Sequence, residues 1–312
     1  MTEVESNALV SRELLDYTNE SQTKVGKGAF CYSENLAEVD LPNVTEVEDF
    51  AFQNCPNLLN INLESVEKIG SYAFWNCNKL TSIDISSIRE IPTGTFSSCT
   101  ALESIAAENV EKLGVNALHS TKLSSLELPK CTTVGKYALK NCKELSEVSL
   151  PEARHIKEGA FEGCESLEDI TLAEARDIAA GAFNTGSEID VTLFNATSVS
   201  TRAFGDSTST TTGTLRTNIP GLELANENVT VISLPNTPNG RIYFIGDTEG
   251  YTFKDINGNE VRLFGKNGEI EYGCGFLCKI PTPVLITSNQ ILNENEIEIN
   301  NFDSDLNLDS KK

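Results

Sequence analysis

The chain has 312 residues, of which 39% are hydrophobic, so one or two domains with a substantial core are expected. With 24 Lys and Arg against 46 Asp and Glu, the formal net charge is −22, which argues against nucleic acid and anionic membranes as partners. No apolar run approaches the roughly 20 residues that a membrane-spanning helix requires.

The N-terminal segment lacks the features of a secretory signal. Residues 1–10 mix Glu and Asn with few apolar side chains, without a basic start or an apolar centre. Either the protein does not use that route or a leader has been removed. Residues 1–24 are predicted to form an N-terminal cap whose buried side carries Leu9, Leu14, Leu15 and Tyr17.

An internal repeat of 21 or 22 residues occupies residues 25–206 and gives about eight units. Each unit carries an apolar anchor after a small residue, and a branched aliphatic residue closes the unit. The anchors are Phe30, Phe52, Phe74, Phe96, Leu118, Leu139, Phe161, Phe183 and Phe204. One unit cannot bury these side chains alone, whereas stacked units share a continuous core. The repeat therefore predicts a right-handed solenoid.

Each unit also contains a short segment of period two, as in Ile61-Asn62-Leu63, which predicts a strand with one buried face. A turn and a return leg follow, and the return leg places one small or aliphatic residue inward. These residues are Val44, Val66, Ile88, Val110, Cys131, Ala153, Ala175 and Ala196. The prediction is a parallel sheet on one face with short irregular return legs.

The unit pattern Ala-Phe-x-x-Cys-x-x-Leu, as in Ala51-Phe52-Gln53-Asn54-Cys55 followed by Leu58, resembles the leucine-rich repeats of the BspA-like family. The resemblance covers roughly residues 25–204 and is specific because the pattern recurs in unit after unit. It implies a leucine-rich-repeat solenoid of the kind found mostly in cell-surface adhesion and host-contact proteins. The absent secretory leader is a departure from that expectation.

Five of the nine cysteines stand three residues after an anchor: Cys55, Cys77, Cys99, Cys142 and Cys164. Ser33 and Thr121 take this place in other units, which predicts a small buried side chain that hydrogen-bonds the local turn backbone. A disulfide between neighbouring units is the alternative. Cys274 and Cys278 are predicted to be two buried thiols, or a disulfide in an oxidising compartment. No metal site is predicted.

The residues that flank the central residue of each predicted strand should point outward and form two columns. The first column is Glu38, Asn60, Ser82, Ser104, Ser125, Glu147, Asp169 and Asp190, and the second is Asp40, Asn62, Asp84, Ala106, Glu127, Ser149, Thr171 and Thr192. These sixteen positions hold no Lys, Arg or aromatic residue. They predict a flat, acidic, hydroxyl-rich surface for a basic protein segment, with Asn60, Asn62, Asp84, Glu127, Glu147, Asp169 and Asp190 as the partner-binding residues. Alternatively, these side chains only solvate the sheet.

Features of catalysis are not found. The two histidines, His119 and His155, are predicted to be solvated turn residues, and no nucleotide-binding or metalloprotease motif is present. Asp255-Ile256-Asn257-Gly258-Asn259 is followed by Glu260, where a calcium loop needs Gly, so this segment predicts a hairpin. We expect no enzymatic activity and no cofactor.

After Phe204 the repeat ends, and residues 206–213 form a polar junction. Residues 207–288 are predicted to form a small, mainly antiparallel β-rich domain that caps the solenoid, and residues 289–312 a mobile acidic tail. Its predicted strands are Arg241–Ile245, Tyr251–Ile256, Glu260–Phe264, Glu269–Tyr272 and Val284–Thr287, with a hairpin at Asn257-Gly258.

The sequence therefore favours a non-enzymatic, adhesin-like binding protein that contacts another protein, with a structural spacer in an appendage or virion as the alternative. If a leader was removed, the expected location is the cell surface or the extracellular space. Neither the partner nor the oligomeric state follows from the sequence.

Overall fold

The structure, a computed structural model, describes residues 3–193 and 195–233 and, beyond them, the strands β22 to β29 given below. The chain divides into two compact units, Met1–Leu234 and Pro235–Lys312. Among the described residues, no helix has the length and apolar character needed to cross a lipid bilayer.

The first unit confirms the predicted solenoid: the coils up to β19 each add one short strand to each of two stacks of parallel strands, and the last coils add strands to one stack alone. The first stack, here called the face sheet, contains β2 (Asp16–Thr18), β4 (Glu38–Asp40), β6 (Asn60–Asn62), β8 (Ser82–Asp84), β10 (Ser104–Ala106), β12 (Ser125–Glu127), β14 (Glu147–Ser149), β16 (Asp169–Thr171), β18 (Glu188–Leu193), β20 (Thr212–Thr217) and β21 (Val229–Ser233).

The return legs, predicted to be irregular, also carry strands. These form the second stack, here called the return sheet, with β1 (Glu3–Val4), β3 (Lys24–Val25), β5 (Glu46–Val47), β7 (Lys68–Ile69), β9 (Glu90–Ile91), β11 (Lys112–Leu113), β13 (Thr133–Val134), β15 (His155–Ile156), β17 (Asp177–Ile178) and β19 (Ser198–Val199). The apolar residue of each pair points inward, so the core lies between the two sheets.

The anchors form the spine of that core. Phe30, Phe52, Phe74 and Phe96 are fully buried, and their successive ring centroids lie 4.9, 5.2 and 5.3 Å apart with the planes within 9° of parallel. This spacing is close to the ~4.8 Å between neighbouring strands. Each ring therefore packs on the ring of the next coil, and no coil can be removed without exposing two faces.

Eight of the nine anchors are preceded, two positions earlier, by a residue in the left-handed region. Gly28, Phe50, Tyr72, Gly94, Asn116, Tyr137, Gly159 and Gly181 occupy this position, with φ between 53° and 66°. For a bulky residue this conformation is costly, so the backbone bonds between coils must impose it. We call this row of turns the turn edge.

Three of the four breaks in the two stacks coincide with local features of the sequence, and the break between β6 and β8 has no such feature. Gly70 N donates to Val47 O at 2.7 Å, and Gly114 N donates to Ile91 O at 2.8 Å. Pro92 holds the equivalent position between them and has no N–H to donate, and here the return sheet separates into β1-β3-β5-β7 and β9 to β19. Two breaks in the face sheet, before β12 and before β18, fall where a unit is one residue shorter.

The N-terminal residues continue the solenoid. Strand β1 pairs in parallel with β3, and β2 pairs with β4, so the segment predicted to be a cap adds strands to both sheets. Tyr17 packs edge-on against Phe30, with ring centroids 5.0 Å apart. Leu15 was expected on the buried side but is 60% exposed, so that assignment is wrong.

The stack also extends beyond the boundary predicted at residues 206–207. Strands β20 and β21 add parallel strands after β18, and the predicted junction leads directly into β20. The buried Asn226 side chain holds this last part together, because its Nδ2 donates to Phe204 O at 3.0 Å and to Thr211 O at 2.8 Å. The predicted boundary therefore falls inside the first unit.

The described strands of the second unit form two four-stranded sheets, ordered β25-β26-β22-β27 and β24-β23-β28-β29. Their bounds are β22 (Ile242–Ile245), β23 (Thr252–Lys254), β24 (Glu260–Val261), β25 (Leu263–Phe264), β26 (Glu269–Tyr272), β27 (Val284–Thr287), β28 (Glu296–Asn300) and β29 (Asn307–Asp309).

Strands lie at all five positions where the sequence predicts them in this unit, but the sheets are mixed, since β22–β27 and β23–β28 are parallel pairs. Strands β28 and β29 lie in residues 289–312, for which the sequence predicts a mobile tail. The Asn257-Gly258 turn, Cys274 and Cys278 lie outside the described residues.

Gly94 and Gly181 provide a test of turn-edge packing. Both have a left-handed φ, 62° and 66°, but a methyl group on Gly94 would overlap the Tyr72 ring, whereas at Gly181 the nearest atom would be 3.7 Å away. We expect Gly94→Ala to lower the free energy of unfolding by about 1–2 kcal/mol more than Gly181→Ala, as measured by denaturant titration. Equal losses would show that only the backbone conformation matters.

Candidate functional site

The outward positions of the face sheet lie where the sequence predicts them. All eight residues of the first column are exposed, and those of the second are exposed or half-buried. In the ladder Glu147 lies beside Asp169, and Asn62 lies beside Asp40. The structure therefore brings the seven predicted partner-binding residues onto one surface, here called the acidic face.

Some of these side chains are held by their neighbours. Asn62 Nδ2 donates to Asp40 Oδ1 at 2.8 Å, Asp84 Oδ1 accepts from Ser86 N at 3.0 Å, and Asp190 Oδ1 accepts from Thr214 N at 2.8 Å. These bonds fix short side chains close to the sheet, so this part of the surface is ordered before any partner arrives.

Glu127, Glu147 and Asp169 differ from these residues. They lie on the consecutive strands β12, β14 and β16, and their carboxylates form no hydrogen bond or ion pair with any other described residue. Glu147 and Asp169 lie side by side, an arrangement of like charges that destabilises a sheet, whereas Glu127 lies beside Ser149 in the second column. The centre of the acidic face therefore carries negative charge that the described part of the chain does not neutralise.

Cations are concentrated elsewhere on the solenoid. On the return sheet Glu46 lies between Lys24 and Lys68, at 3.6 and 3.0 Å, and Lys112 lies 2.7 Å from Glu90. On the acidic face, Arg216 of β20 lies 3.4 Å from Asp190 at the C-terminal end of the surface. The two sheets therefore differ in electrostatic character: the return sheet is largely self-neutralised, whereas the acidic face is not. Sequence reasoning missed these pairs, although Lys and Glu alternate at intervals of 22 residues from Lys24 to Lys112.

The histidines were predicted to be solvated turn residues, and both have partners. His155 belongs to strand β15, and its Nδ1 lies 2.8 Å from Asp177 Oδ2. His119 Nδ1 lies 3.5 Å from Ser97 Oγ, at the limit of a hydrogen bond, and Ser97 is buried. Burial and then Lys140 lower the pKa of His119, which favours its neutral imidazole. Neither pair has the geometry of an activated nucleophile.

The cysteine column links successive coils. Cys55 Sγ donates to Phe30 O at 3.1 Å, Cys77 to Phe52 O at 3.2 Å and Cys99 to Phe74 O at 3.1 Å, and Cys142 and Cys164 do the same to Leu118 O and Leu139 O at 3.1 Å. The sequence predicts a bond within the local turn, which Thr121 makes to Leu118 O. For the cysteines that expectation is wrong, because their Sγ atoms donate to the carbonyl of the preceding coil.

These thiols are not reactive groups. Burial raises the pKa of Cys55 and of Cys99 to about 12, and that of Cys142 to about 11, so each remains a protonated donor at neutral pH. The seven described cysteines are all free thiols. Within the described ranges, no group of three or more His, Cys, Asp or Glu residues is placed to hold a metal ion.

The raised thiol pKa values predict loss of stability in alkali. A thiol with pKa 9.0 when unfolded and about 12 when folded contributes stability that is complete below pH 9 and disappears as the pH rises toward 12. We expect the unfolding midpoint of the protein to fall steeply above pH 9, and Cys99→Ser to reduce that slope. Unfolding midpoints that fall by the same amount in the two proteins between pH 7 and pH 10.5 would contradict this.

The same column predicts which substitutions are tolerated. Ser33 occupies the position natively and donates to Leu9 O at 3.1 Å, so a hydroxyl fits the site. We expect Cys99→Ser to lower the free energy of unfolding at pH 7 by less than about 1 kcal/mol, and Cys99→Ala, which loses the donor and leaves a void, by about 1–2 kcal/mol. Urea titration measures both, and a costlier serine variant would refute the hydrogen-bonding role.

Comparison with known proteins gives one family match. The BspA type leucine rich repeat region matches residues 23–145 and 111–228 in six copies. Among solved structures, the chain is similar to a leucine rich cell surface protein from Faecalibacterium prausnitzii, with 18% identity, 75% of this chain and 83% of that one covered, and a TM-score of 0.44.

It is also similar to a leucine-rich repeat protein from Bacteroides ovatus, with 18% identity, 74% and 78% coverage and a TM-score of 0.39. The pneumococcal vaccine antigen PcpA is similar at 17% identity, with 75% and 71% coverage and a TM-score of 0.41. No match is found among curated proteins.

Proposed function

Since the chain belongs to the BspA-type leucine-rich repeat family, we propose that it is a non-enzymatic, adhesin-like binding protein that holds a basic protein partner on its acidic face. Proteins of this family are commonly protein-binding or adhesin-like. The proposal includes a location at the cell surface or outside the cell, where such a partner would be met.

The observation that carries the proposal is the group of carboxylates at Glu127, Glu147 and Asp169, which no other described residue pairs. The repulsion between the adjacent Glu147 and Asp169 costs stability, and a cationic surface laid across the strands would relieve it. The cations of the return sheet are already paired with neighbouring carboxylates, so they do not compete for this charge. A spacer would require only the stacked core and would not account for this difference between the two sheets.

The size of the acidic face suits a protein partner. Eight strands at ~4.8 Å give a surface about 38 Å long, which is comparable to one side of a standard protein interface. The surface is flat and has no aromatic residue at the sixteen outward positions. A partner would therefore be recognised by charge and hydrogen bonds over a broad area.

Charge reversal tests the proposal. We expect Glu127→Lys combined with Glu147→Lys to weaken binding of a labelled oligolysine peptide of about twelve residues, which spans the face when extended, by about tenfold at low salt. The free energy of unfolding should not fall, because the lysine introduced at position 147 would lie beside Asp169 and replace a repulsion with an attraction. Fluorescence anisotropy measures the affinity.

The matched control is Glu5→Lys combined with Glu67→Lys, which changes the net charge equally but on exposed residues next to the return sheet. This control should weaken peptide binding by less than about threefold, because it changes only the long-range electrostatic field at the acidic face. Similar losses in the two double variants would mean that the peptide responds to net charge, and the acidic face would not be the binding surface.

A further inference from the structure

The turn edge contains a polar groove that the acidic face does not include. It has a volume of about 680 Å³ and extends from Tyr137 to Thr210, across the last coils of the repeat. This volume is within the range of small-molecule sites. We call it the turn-edge groove.

Glycines line the groove, and Gly181 opens it to the main chain. In the earlier coils, Phe50 and Tyr72 occupy the left-handed position of the turn edge and stack on each other, with ring centroids 5.5 Å apart. In the groove the same position is filled by Gly159 and Gly181, and Gly163 and Gly205 follow on the other side of their anchors. The Tyr137 ring covers Gly159, and the Asn141 side chain covers Gly163, whereas the nearest atom to a Cβ at Gly181 would be 3.7 Å away. A ligand can therefore approach the main chain closely at Gly181.

An ordered loop forms the C-terminal wall of the groove. Ser209 Oγ donates to Asn184 Oδ1 at 2.6 Å, Gly186 N donates to Thr211 Oγ1 at 2.9 Å, and Thr208 N donates to Asp206 Oδ1 at 2.9 Å. These bonds order the Ser- and Thr-rich segment, which the sequence indicates only as a polar junction. The wall is formed before a ligand binds.

The charges that surround the groove cancel. Glu158, Glu162 and Glu165 line it, and each is paired with a lysine of the preceding coil: Lys136 at 2.8 Å, Lys140 at 2.9 Å and Lys143 at 2.7 Å. Arg202 and Asp206, also in the lining, carry opposite charges. In a chain with a net charge of −22, this is a locally neutral site.

We propose that the turn-edge groove binds a neutral oligosaccharide. Ion-paired carboxylates keep lone pairs that accept hydrogen bonds from sugar hydroxyls, while Arg202, Asn141 and Asn184 offer donors that the sugar oxygens accept. An anionic ligand would meet four carboxylates, and a strongly cationic one would have to displace the paired lysines. An apolar ligand would leave the polar lining without partners.

The experiment is a glycan array with neutral, sialylated and sulfated glycans, probed with the labelled full chain, followed by calorimetry with the best neutral oligosaccharide. Gly181→Tyr fills the groove with a residue that Tyr72 and Tyr137 already provide at the same turn position, so the fold has a native precedent. The control is Asn116→Tyr, which introduces the same side chain at the same turn position but outside the groove.

We expect neutral glycans to bind, Gly181→Tyr to weaken that binding at least tenfold, and Asn116→Tyr to change it less than twofold. Arg202 is exposed, so Arg202→Ala should not disturb the fold. It should weaken glycan binding about fivefold, and it tests the groove if Gly181→Tyr does not fold. Glu127→Lys with Glu147→Lys should leave glycan binding unchanged, which separates this site from the acidic face. Binding of anionic glycans only, binding of no neutral glycan, or neutral binding that survives both groove variants would overturn the proposal.

Discussion

The hydrogen bonds between successive coils determine the rest of the structure. Bonds such as Phe30 N to Ala51 O at 2.8 Å and Phe52 N to Ala73 O at 2.7 Å place each residue beside the one 21 or 22 positions later. Every position of the unit thereby becomes a column, and the chemistry of a column is repeated at the ~4.8 Å strand spacing. Stacked phenylalanines, thiols that donate to the preceding coil and rows of paired charges all follow from this register.

The same register gives the sides of the solenoid different properties. Small polar and acidic residues in two columns produce a flat face with uncompensated charge at Glu127, Glu147 and Asp169, whereas alternation of Lys and Glu neutralises the return sheet. At the turn edge, aromatic rings stack at Phe50 and Tyr72, whereas Gly181 leaves the main chain open. Binding surfaces of separate character can thus arise on one scaffold from the choice of a single residue per coil.

Sequence reasoning found the repeating apolar positions and the outward columns but missed the repeating Lys and Glu pairs of the return sheet. The Phe anchors and the outward columns could be predicted because buried and exposed residues alternate in a fixed unit. The strands of the return sheet could not, because two residues such as Lys68–Ile69 carry no periodicity. The groove depends on left-handed turns at Gly159 and Gly181. In the sequence, these two glycines indicate turns but not a groove. The stack's extension to Ser233 was missed because β20 and β21 lack the anchor pattern.

The central claim is that each coil is stable only against its neighbours, and hydrogen exchange of anchor variants tests it most directly. Leu118 and Leu139 are native anchors, so Phe74→Leu should cost little, whereas Phe74→Ala should lower the free energy of unfolding by about 3–5 kcal/mol. In Phe74→Ala, amide protection should fall in the coils on both sides, around Phe52 and Phe96. Protection lost only in the coil of residue 74, with the neighbouring coils unchanged, would contradict the account.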